Sequence, residues 1–210
     1  MNTRVRPAIY SAVLCVAILS SGGARAEGFI DVYLGGSYTD DATTRYSSMA
    51  SATTKFDDST IGGVRGGVWI GPWPWLGFAG DISYFRADHD ARRADIHVIP
   101  LSLLVMLRVP IFRSEELPGG RFQPYVGAGP AVFVSVLKDR DIFAPGEFVS
   151  VDGSIGSDVR AGVKVQLLRW LAVFAEYRHT EFDAKWDDAN VTIKGDIETD
   201  HFQMGVGFHF

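Results

Sequence analysis

The sequence predicts an all-β fold class, an eight-stranded antiparallel up-and-down transmembrane β-barrel. Three observations lead to this prediction. Apolar and polar residues alternate with a period of two through eight segments, which is the period of a β-strand. The connections between these segments are mostly long and short in alternation. No segment after residue 26 contains 18 consecutive apolar residues, which excludes a membrane-spanning helix there.

Residues 1–26 have the features of a cleaved export signal. Two arginines precede an apolar run from Ala8 to Leu19, and Ala24-Arg25-Ala26 supplies a small-x-small cleavage site. The run has about 12 residues, too few to span a membrane as a helix. Cleavage after Ala26 would leave one domain, residues 27–210, and would remove Cys15, the only cysteine. The mature chain would then form no disulfide and no cysteine-ligated metal site.

The composition limits the possible functions. The chain has 20 basic and 25 acidic residues, a net charge of −5. Residues 1–26 hold three of the basic residues and none of the acidic ones, so the mature chain would carry 17 against 25, a net −8. This balance disfavours a nucleic-acid partner, because such a partner needs a basic face. The apolar content of 47% excludes a wholly disordered chain. We expect no cofactor.

Each of the eight segments has one apolar face, which we expect to point outward to lipid. In chain order these faces contain Ile30, Val32, Leu34 and Tyr38; Val64, Val68 and Ile70; Leu76, Phe78, Ile82 and Tyr84; Ile99, Leu101, Leu103, Val105 and Leu107; Val126, Ala128, Val132 and Val134; Val159, Ala161, Val163 and Val165; Leu171, Val173, Ala175 and Tyr177; and Phe202, Met204, Val206, Phe208 and Phe210. Eight is an even number, as a closed antiparallel barrel requires.

The connections fall into two classes. Long ones are predicted at Thr39–Ser59, Ala87–Asp95, Leu137–Gly153 and Glu181–Thr199, and short ones at Gly71–Pro74 and around Leu168-Arg169. Long loops on one side and short turns on the other are typical of outer-membrane barrels. The fourth connection from the N-terminus, Pro110–Arg121, is expected to be short by this rule but is longer. We call it connection four.

Aromatic residues lie near both ends of the predicted strands. We expect two girdles at the membrane–water interfaces, where amphipathic rings are favoured. The girdle near the short turns contains Trp73, Trp75 and Trp170, with Trp69 close by, and the girdle near the long loops contains Tyr38, Tyr84, Tyr177 and Phe202.

The faces opposite the apolar ones carry charges, which we expect to form a network inside the barrel. The nine residues are Asp31, Arg65, Asp81, Arg108, Asp158, Arg160, Lys164, Glu176 and Arg178. A shift of one residue would turn them all to lipid, at about 2–4 kcal/mol for each Arg or Lys near the midplane. We expect the interior glycines to leave room for the arginines; they are Gly35, Gly63, Gly67, Gly127, Gly129, Gly162, Gly205 and Gly207.

Three prolines lie within predicted strands, and proline cannot donate to a strand ladder. Pro124 can occupy a strand start. At Pro100 and Pro130 we expect β-bulges, which would disturb the alternation of faces around them.

The C-terminal residues resemble the assembly signal of bacterial outer-membrane barrels. In Gln203-Met204-Gly205-Val206-Gly207-Phe208-His209-Phe210, the polar residue, the glycine, the aromatic residue and the terminal Phe of that signal match Gln203, Gly205, Phe208 and Phe210. The stretches from Pro124 to Gly129 and from Phe174 to Arg178 also resemble the family of small outer-membrane β-barrel domains. The resemblance implies an outer-membrane location and a single barrel. It leaves the activity open, because family members include porin-like, adhesive, structural and enzymatic proteins.

The sequence contains residues for two kinds of chemistry. A lipid A deacylase on this scaffold would need a His-x-Ser pair, but His179 is followed at that spacing by Glu181, and His201 by Gln203. We therefore expect no catalytic residues. Acidic residues around Asp88-His89-Asp90 and in the last long connection could attract Ca²⁺ or Mg²⁺. They show no regular ligand spacing, and no metal site is predicted.

Transport and the carriage of a solute are two further classes of function. Eight strands leave an interior that side chains fill, whereas aqueous channels belong to barrels of about 16 strands. A soluble carrier of the lipocalin type would need an apolar interior, the reverse of this pattern. We expect a structural or surface-interaction role with a plugged interior; the alternative is a narrow or laterally opening transporter of small or apolar solutes. The expected partners are outer-membrane lipid, lipopolysaccharide and the barrel assembly machinery.

Overall fold

The computed structural model is an all-β barrel, described at residues 26–39, 42–46, 51–54, 59–88, 94–139, 148–188 and 191–210. Its strands are β1 (Glu27–Thr39), β2 (Ala42–Tyr46), β3 (Ser51–Thr54), β4 (Ser59–Ile70), β5 (Trp73–Asp88), β6 (Ala94–Arg108), β7 (Phe122–Asp139), β8 (Phe148–Leu168), β9 (Leu171–Asp188) and β10 (Val191–His209). Within these ranges no helix is long and apolar enough to cross a membrane. The predicted export signal, except Ala26, lies outside them and stays a prediction.

Eight strands close the barrel, as predicted. They follow the order β1, β4, β5, β6, β7, β8, β9 and β10, each antiparallel to the next, and β10 pairs back with β1. Following the paired residues once around the barrel leads from Ser37 through His201 and Arg178 to Glu27, a stagger of 10 residues. Such a small, tilted barrel has an interior just wide enough for side chains to fill.

Strands β2 and β3 form a hairpin within the first long connection, which the sequence did not predict. β2 pairs with β10 through Ile193 and Lys194, so the hairpin extends the barrel wall at the end that carries the long connections. We call this the loop end, and the other the turn end.

The other long connections are shorter than predicted. β5 reaches Asp88, β7 reaches Asp139 and β9 reaches Asp188 before the chain leaves the strand. The predicted strand ends lie too early in the chain, because a strand that continues beyond the membrane can be polar on both faces. The apolar alternation that marks a strand in lipid therefore stops before the strand does.

The predicted alternation of faces is confirmed in all eight strands of the barrel. Val32, Leu103 and Phe202 are exposed on the outer wall, whereas their neighbours toward the interior are buried. The bulges expected at Pro100 and Pro130 are wrong. The pairing of β6 with β7 has the same register on both sides of these prolines, although it is interrupted beside Pro130. The missing N–H groups are tolerated as local gaps in the ladder.

Connection four closes the turn end of the barrel, which accounts for its length. Ile111 bridges to Phe122, and the residues between them fold back so that Leu117, Gly119 and Gly120 are buried. Gly120 has a φ of +83°, a left-handed conformation that glycine adopts without strain. Both chain termini of the barrel lie at this end, where Gly28 and Phe210 exchange backbone hydrogen bonds of 2.9 and 3.0 Å.

Candidate functional site

The barrel interior is the candidate site, because the inward faces collect the buried charges of the chain. Strand alternation places every second residue there, and the nine charged residues named from the sequence are all 5% exposed or less. A buried ion needs a partner, since its desolvation costs several kcal/mol. The contacts between these side chains divide the interior into a central network, a turn-end cluster and a loop-end cluster.

The central network contains four acids and four bases: Asp31, Asp81, Asp158, Glu176, Arg65, Arg160, Lys164 and Arg178. Arg65 links β1 to β9. Its Nε and Nη2 donate to Asp31 Oδ2 at 3.0 and 2.8 Å, and its Nη1 donates to Glu176 Oε2 at 2.5 Å. Lys164 Nζ donates to the other Asp31 oxygen at 2.7 Å.

The second half of the network surrounds Asp158. Arg160 donates to both Asp158 oxygens, from Nε at 2.9 Å and Nη2 at 2.8 Å, and its Nη1 reaches Asp81 Oδ2 at 2.8 Å. Arg178 Nη2 lies 2.8 Å from Asp158 Oδ2, and its Nη1 donates to Ser83 Oγ at 2.8 Å. Two-pronged pairs of this kind fix geometry as well as charge.

Uncharged donors complete the network, and sequence analysis missed them. Tyr33 donates to Asp81 Oδ2 at 2.8 Å, Tyr125 to Glu176 Oε2 at 2.7 Å, and Ser102 to Asp158 Oδ2 at 2.5 Å. Gln203 donates to Glu176 Oε1. The two tyrosines occur at inward positions of their strands, so alternation alone could have identified them.

Arg108 does not belong to the central network, which corrects the predicted set. Its Nη2 donates to Glu27 Oε2 at 2.5 Å, and its guanidinium carbon lies 4.2 Å from the centroid of the Trp69 ring. His209 Nδ1 lies 2.7 Å from Glu27 Oε1. With Gln123 and Gln166, these residues form the turn-end cluster. It joins the first and last strands to connection four.

The loop-end cluster is apolar and was not predicted. It consists of Ile61, Phe85, Val98, Ala131, Phe133, Phe182 and Ile197. The rings of Phe133 and Phe182 stack with centroids 4.2 Å apart. Its sequence signal is an apolar residue at an inward position, such as Phe133 between Val132 and Val134. The cluster covers the central network on the side of the loops.

The interior glycines do not mainly make room for arginine, contrary to the prediction. A Cβ at Gly63 would lie 2.4 Å from the Tyr33 hydroxyl, and one at Gly67 would lie 2.6 Å from the Phe29 ring. Tyr125 and Phe174 cover Gly162 and Gly205 in the same way. At Gly207 a Cβ would lie 2.4 Å from Asp31 Oδ1 and 3.3 Å from Lys164 Nζ. Aromatic rings therefore occupy the space beside four of the eight predicted glycines.

The aromatic residues of the predicted girdles lie on the outer wall, with one exception. Trp73, Trp75, Trp170, Tyr38, Tyr84 and Tyr177 are between 38% and 55% exposed. Trp69 instead points inward and stacks on Phe29. The difference follows from its position, because Trp69 shares the inward face of β4 with Arg65.

The residues of the C-terminal motif divide between the two faces of β10. Gln203 and Gly205 face the interior, where they contact Glu176 and Phe174. Phe208 faces outward and stacks with Trp170 at a centroid distance of 6.3 Å. The exposed Phe210 ring lies over Gly28, where a Cβ would approach it to 2.4 Å.

His179 and His201 have different surroundings. His201 is buried between Thr180 and the Phe85 ring, inside the barrel. His179 is on the outer wall, with Nδ1 2.7 Å from Asp200 Oδ1. Within the described residues no three His, Cys, Asp or Glu side chains are grouped as a metal site. His89 and Asp90 lie outside those residues.

An apolar outer wall, a polar interior and a closed antiparallel sheet define the class of transmembrane β-barrels. The chain belongs to the family of outer membrane protein β-barrel domains, whose family model matches residues 11–210. The protein is therefore an outer-membrane barrel, and the resemblance drawn from its C-terminal motif is confirmed at the level of the family.

Solved structures support the same fold. The outer membrane protein OprG from Pseudomonas aeruginosa is similar with a TM-score of 0.62 and 15% identity, over 90% of this chain and 98% of that one. Neisserial surface protein A is similar with a TM-score of 0.57 and 16% identity, over 87% of this chain and 97% of that one. No curated protein matches the sequence. At these identities the likeness concerns the fold.

Proposed function

We propose that this protein is a non-conducting outer-membrane barrel with a structural or surface-interaction role. The observation that carries the proposal is the filling of the interior in three successive layers. The turn-end cluster and connection four close one end, the central network fills the middle, and the stacked Phe133 and Phe182 close the other. A solute crossing the barrel would have to break buried ion pairs, and separating a buried pair is costly.

Conductance in planar bilayers tests this proposal. The purified protein should give no discrete channels under an applied voltage. A matched variant, Phe133→Ala with Phe182→Ala, removes the stacked rings and leaves the central network in place. It should also remain silent, because the ion pairs still block the middle of the barrel. Discrete, ohmic channels from the unmodified protein would contradict the proposal.

A laterally opening transporter is the second candidate, and one observation favours it. The pairing of β6 is interrupted on both sides, near Pro100 toward β5 and beside Pro130 toward β7. Missing ladder bonds weaken a seam in the wall, through which an apolar solute could leave sideways. Uptake of an apolar solute by vesicles that contain the protein, without ion conductance, would favour this candidate over the first.

The proposal includes no catalytic role. His179 is held by an acid, but the position that a deacylase would fill with serine is Glu181. Lipid A from cells with the protein should therefore have the same mass as lipid A from cells without it. Loss of an acyl chain that depends on His179 would contradict this part of the proposal.

We also propose that Phe210 is the handle for barrel assembly. Its backbone bonds to Gly28 close the last pair of strands, and its ring remains exposed on the outer wall. Deleting Phe210 removes little packing within the barrel, because its ring is 78% exposed. The protein recovered in the outer membrane, measured as a heat-modifiable band, should nevertheless fall sharply. A normal yield of the truncated protein in that fraction would contradict the role.

A further inference from the structure

The turn between β8 and β9 is apolar except for one cation. Arg169 and Trp170 are the two residues of this turn, and Leu167 and Leu168 precede them. Both leucines and Trp170 are exposed. A turn in water is usually built from small and polar residues. Exposed apolar side chains beside an arginine are instead typical of a segment at the membrane interface, where the guanidinium reaches the lipid headgroups.

A second cation, Arg121, is held beside this turn by Gln166. The Gln166 backbone N–H donates to the Arg121 carbonyl oxygen at 2.8 Å. The Gln166 side chain donates through Nε2 to the Arg169 carbonyl oxygen, also at 2.8 Å. Both arginines are exposed, and neither guanidinium has a hydrogen bond or ion pair within the part of the chain that the structure describes. Neighbouring cations without a counter-ion favour an anion from outside the protein.

The acids of the turn end do not supply this counter-ion. Glu115 and Glu116 form the tip of a separate turn in connection four, closed by backbone hydrogen bonds of 3.3 and 3.2 Å. Among the described residues, neither of them is ion-paired. Glu27 is already bonded inside the turn-end cluster. Arg121 and Arg169 therefore remain available to a ligand.

An apolar surface continues from this turn along the outer wall. The rings of Trp170 and Phe208 stack on the neighbouring strands, and the His209 N–H donates to the Trp170 carbonyl oxygen at 3.0 Å. The turn between β4 and β5 provides a comparison within the same end of the barrel. It also has exposed rings, Trp73 and Trp75, but residues 69–76 contain no charged side chain.

We propose that the turn end binds an anionic phospholipid at the turn between β8 and β9. Arg121 and Arg169 hold the phosphate, because a guanidinium can donate to two phosphate oxygens at once. Trp170 and Phe208 contact the acyl chains. A zwitterionic phospholipid offers the same phosphate but adds a cation, which the two arginines repel, so an anionic headgroup is preferred. The apolar surface beside the arginines favours a lipid over a free phosphate ion.

Tryptophan quenching by brominated lipids tests the proposal, because quenching needs contact between the ring and the lipid. Trp73→Phe with Trp75→Phe leaves Trp170 as the reporter of the proposed site. Trp170→Phe leaves Trp73 and Trp75 as the comparison reporter, and heat-modifiable migration checks the folding of both. The vesicles are phosphatidylcholine with a small fraction of brominated phosphatidylglycerol or of brominated phosphatidylcholine. Brominated phosphatidylglycerol should quench the Trp170 reporter several-fold more than brominated phosphatidylcholine, and the comparison reporter should show no such excess.

Single substitutions in the Trp170 reporter then locate the site. Arg121→Gln and Arg169→Gln should each reduce the excess quenching by phosphatidylglycerol. The matched control is Arg86→Gln, which removes the same charge from an exposed arginine at the loop end and should leave the excess unchanged. Added inorganic phosphate, at constant ionic strength, should not abolish it.

Four outcomes would overturn the proposal. No excess at Trp170 would mean that no anionic lipid is bound there. An equal excess in the two reporters would indicate a general attraction of anionic lipid to the barrel. An excess that survives both Arg121→Gln and Arg169→Gln would assign it to the aromatic rings alone. Loss of the excess on addition of inorganic phosphate would identify a site for free phosphate.

Discussion

The two faces of β4 obey opposite rules, although their residues alternate along a single strand. Val64 points outward and is 44% exposed, whereas its neighbour Arg65 is fully buried and bonded to two carboxylates. The next two residues, Gly66 and Gly67, differ in the space available for a side chain. A Cβ at Gly66 would meet nothing within 4 Å, whereas one at Gly67 would lie 2.5 Å from a backbone oxygen. The outward face needs an apolar surface only, while the inward face needs particular partners.

The largest expected effect is the loss of a cation from the inward face. Arg65→Leu leaves Asp31 with Lys164 and deprives Glu176 of its shortest ion pair. Because an uncompensated charge stays buried, the free energy of unfolding should fall by about 3–5 kcal/mol. Urea unfolding of the protein in lipid vesicles, followed by tryptophan fluorescence, measures this change.

A double variant distinguishes charge imbalance from lost packing. Arg65→Leu with Glu176→Leu removes one base and one acid, so the rest of the central network is again balanced. It should unfold at a higher urea concentration than Arg65→Leu alone, since the two substitutions are coupled. If the losses of unfolding free energy from Arg65→Leu and from Glu176→Leu simply add in the double variant, the two faces of β4 differ in side-chain packing and not in charge.

The next effect is the reverse change on the outward face. Val64→Arg places a cation between the two aromatic girdles, where lipid solvates it poorly. The free energy of unfolding should fall by about 2–4 kcal/mol, the cost of Arg near the midplane of a barrel. In detergent micelles, which adapt to a charged surface more easily, the loss should be smaller. An unchanged stability in vesicles would mean that this wall does not face lipid.

Much of this contrast could be predicted from the sequence. The period of two identified the outward face of all eight strands, and the prolines did not disturb it because the register continues past them. Which charges would be buried follows from the same alternation. Their pairing does not, because it depends on the stagger of the barrel. Arg108 meets Glu27, a residue 81 positions away, only after the strands have closed.

The loop-end cluster and the extended strands were missed for a related reason. Phe85 follows the outward Tyr84, so the apolar signal there occurs on both faces and the alternation gives no direction. Beyond the membrane the opposite happens, and β9 and β10 continue through residues that are polar on both faces. Hydrophobic alternation therefore predicts the part of the barrel that lies in lipid, and less of the parts above it.

The smallest expected effect is also the sharpest comparison, since it uses two adjacent residues and the same substitution. Gly66→Ala adds a methyl group to open space on the outer wall and reduces the entropy of the unfolded chain, so stability should rise by about 0.4–1 kcal/mol. Gly67→Ala forces the methyl group against the Phe78 carbonyl oxygen and the Phe29 ring. A backbone atom cannot rotate away as a side chain can, so stability should fall by about 1–3 kcal/mol. Urea unfolding of the two variants in the same vesicles measures both changes. Equal effects of the two substitutions would mean that packing does not distinguish the two faces of β4.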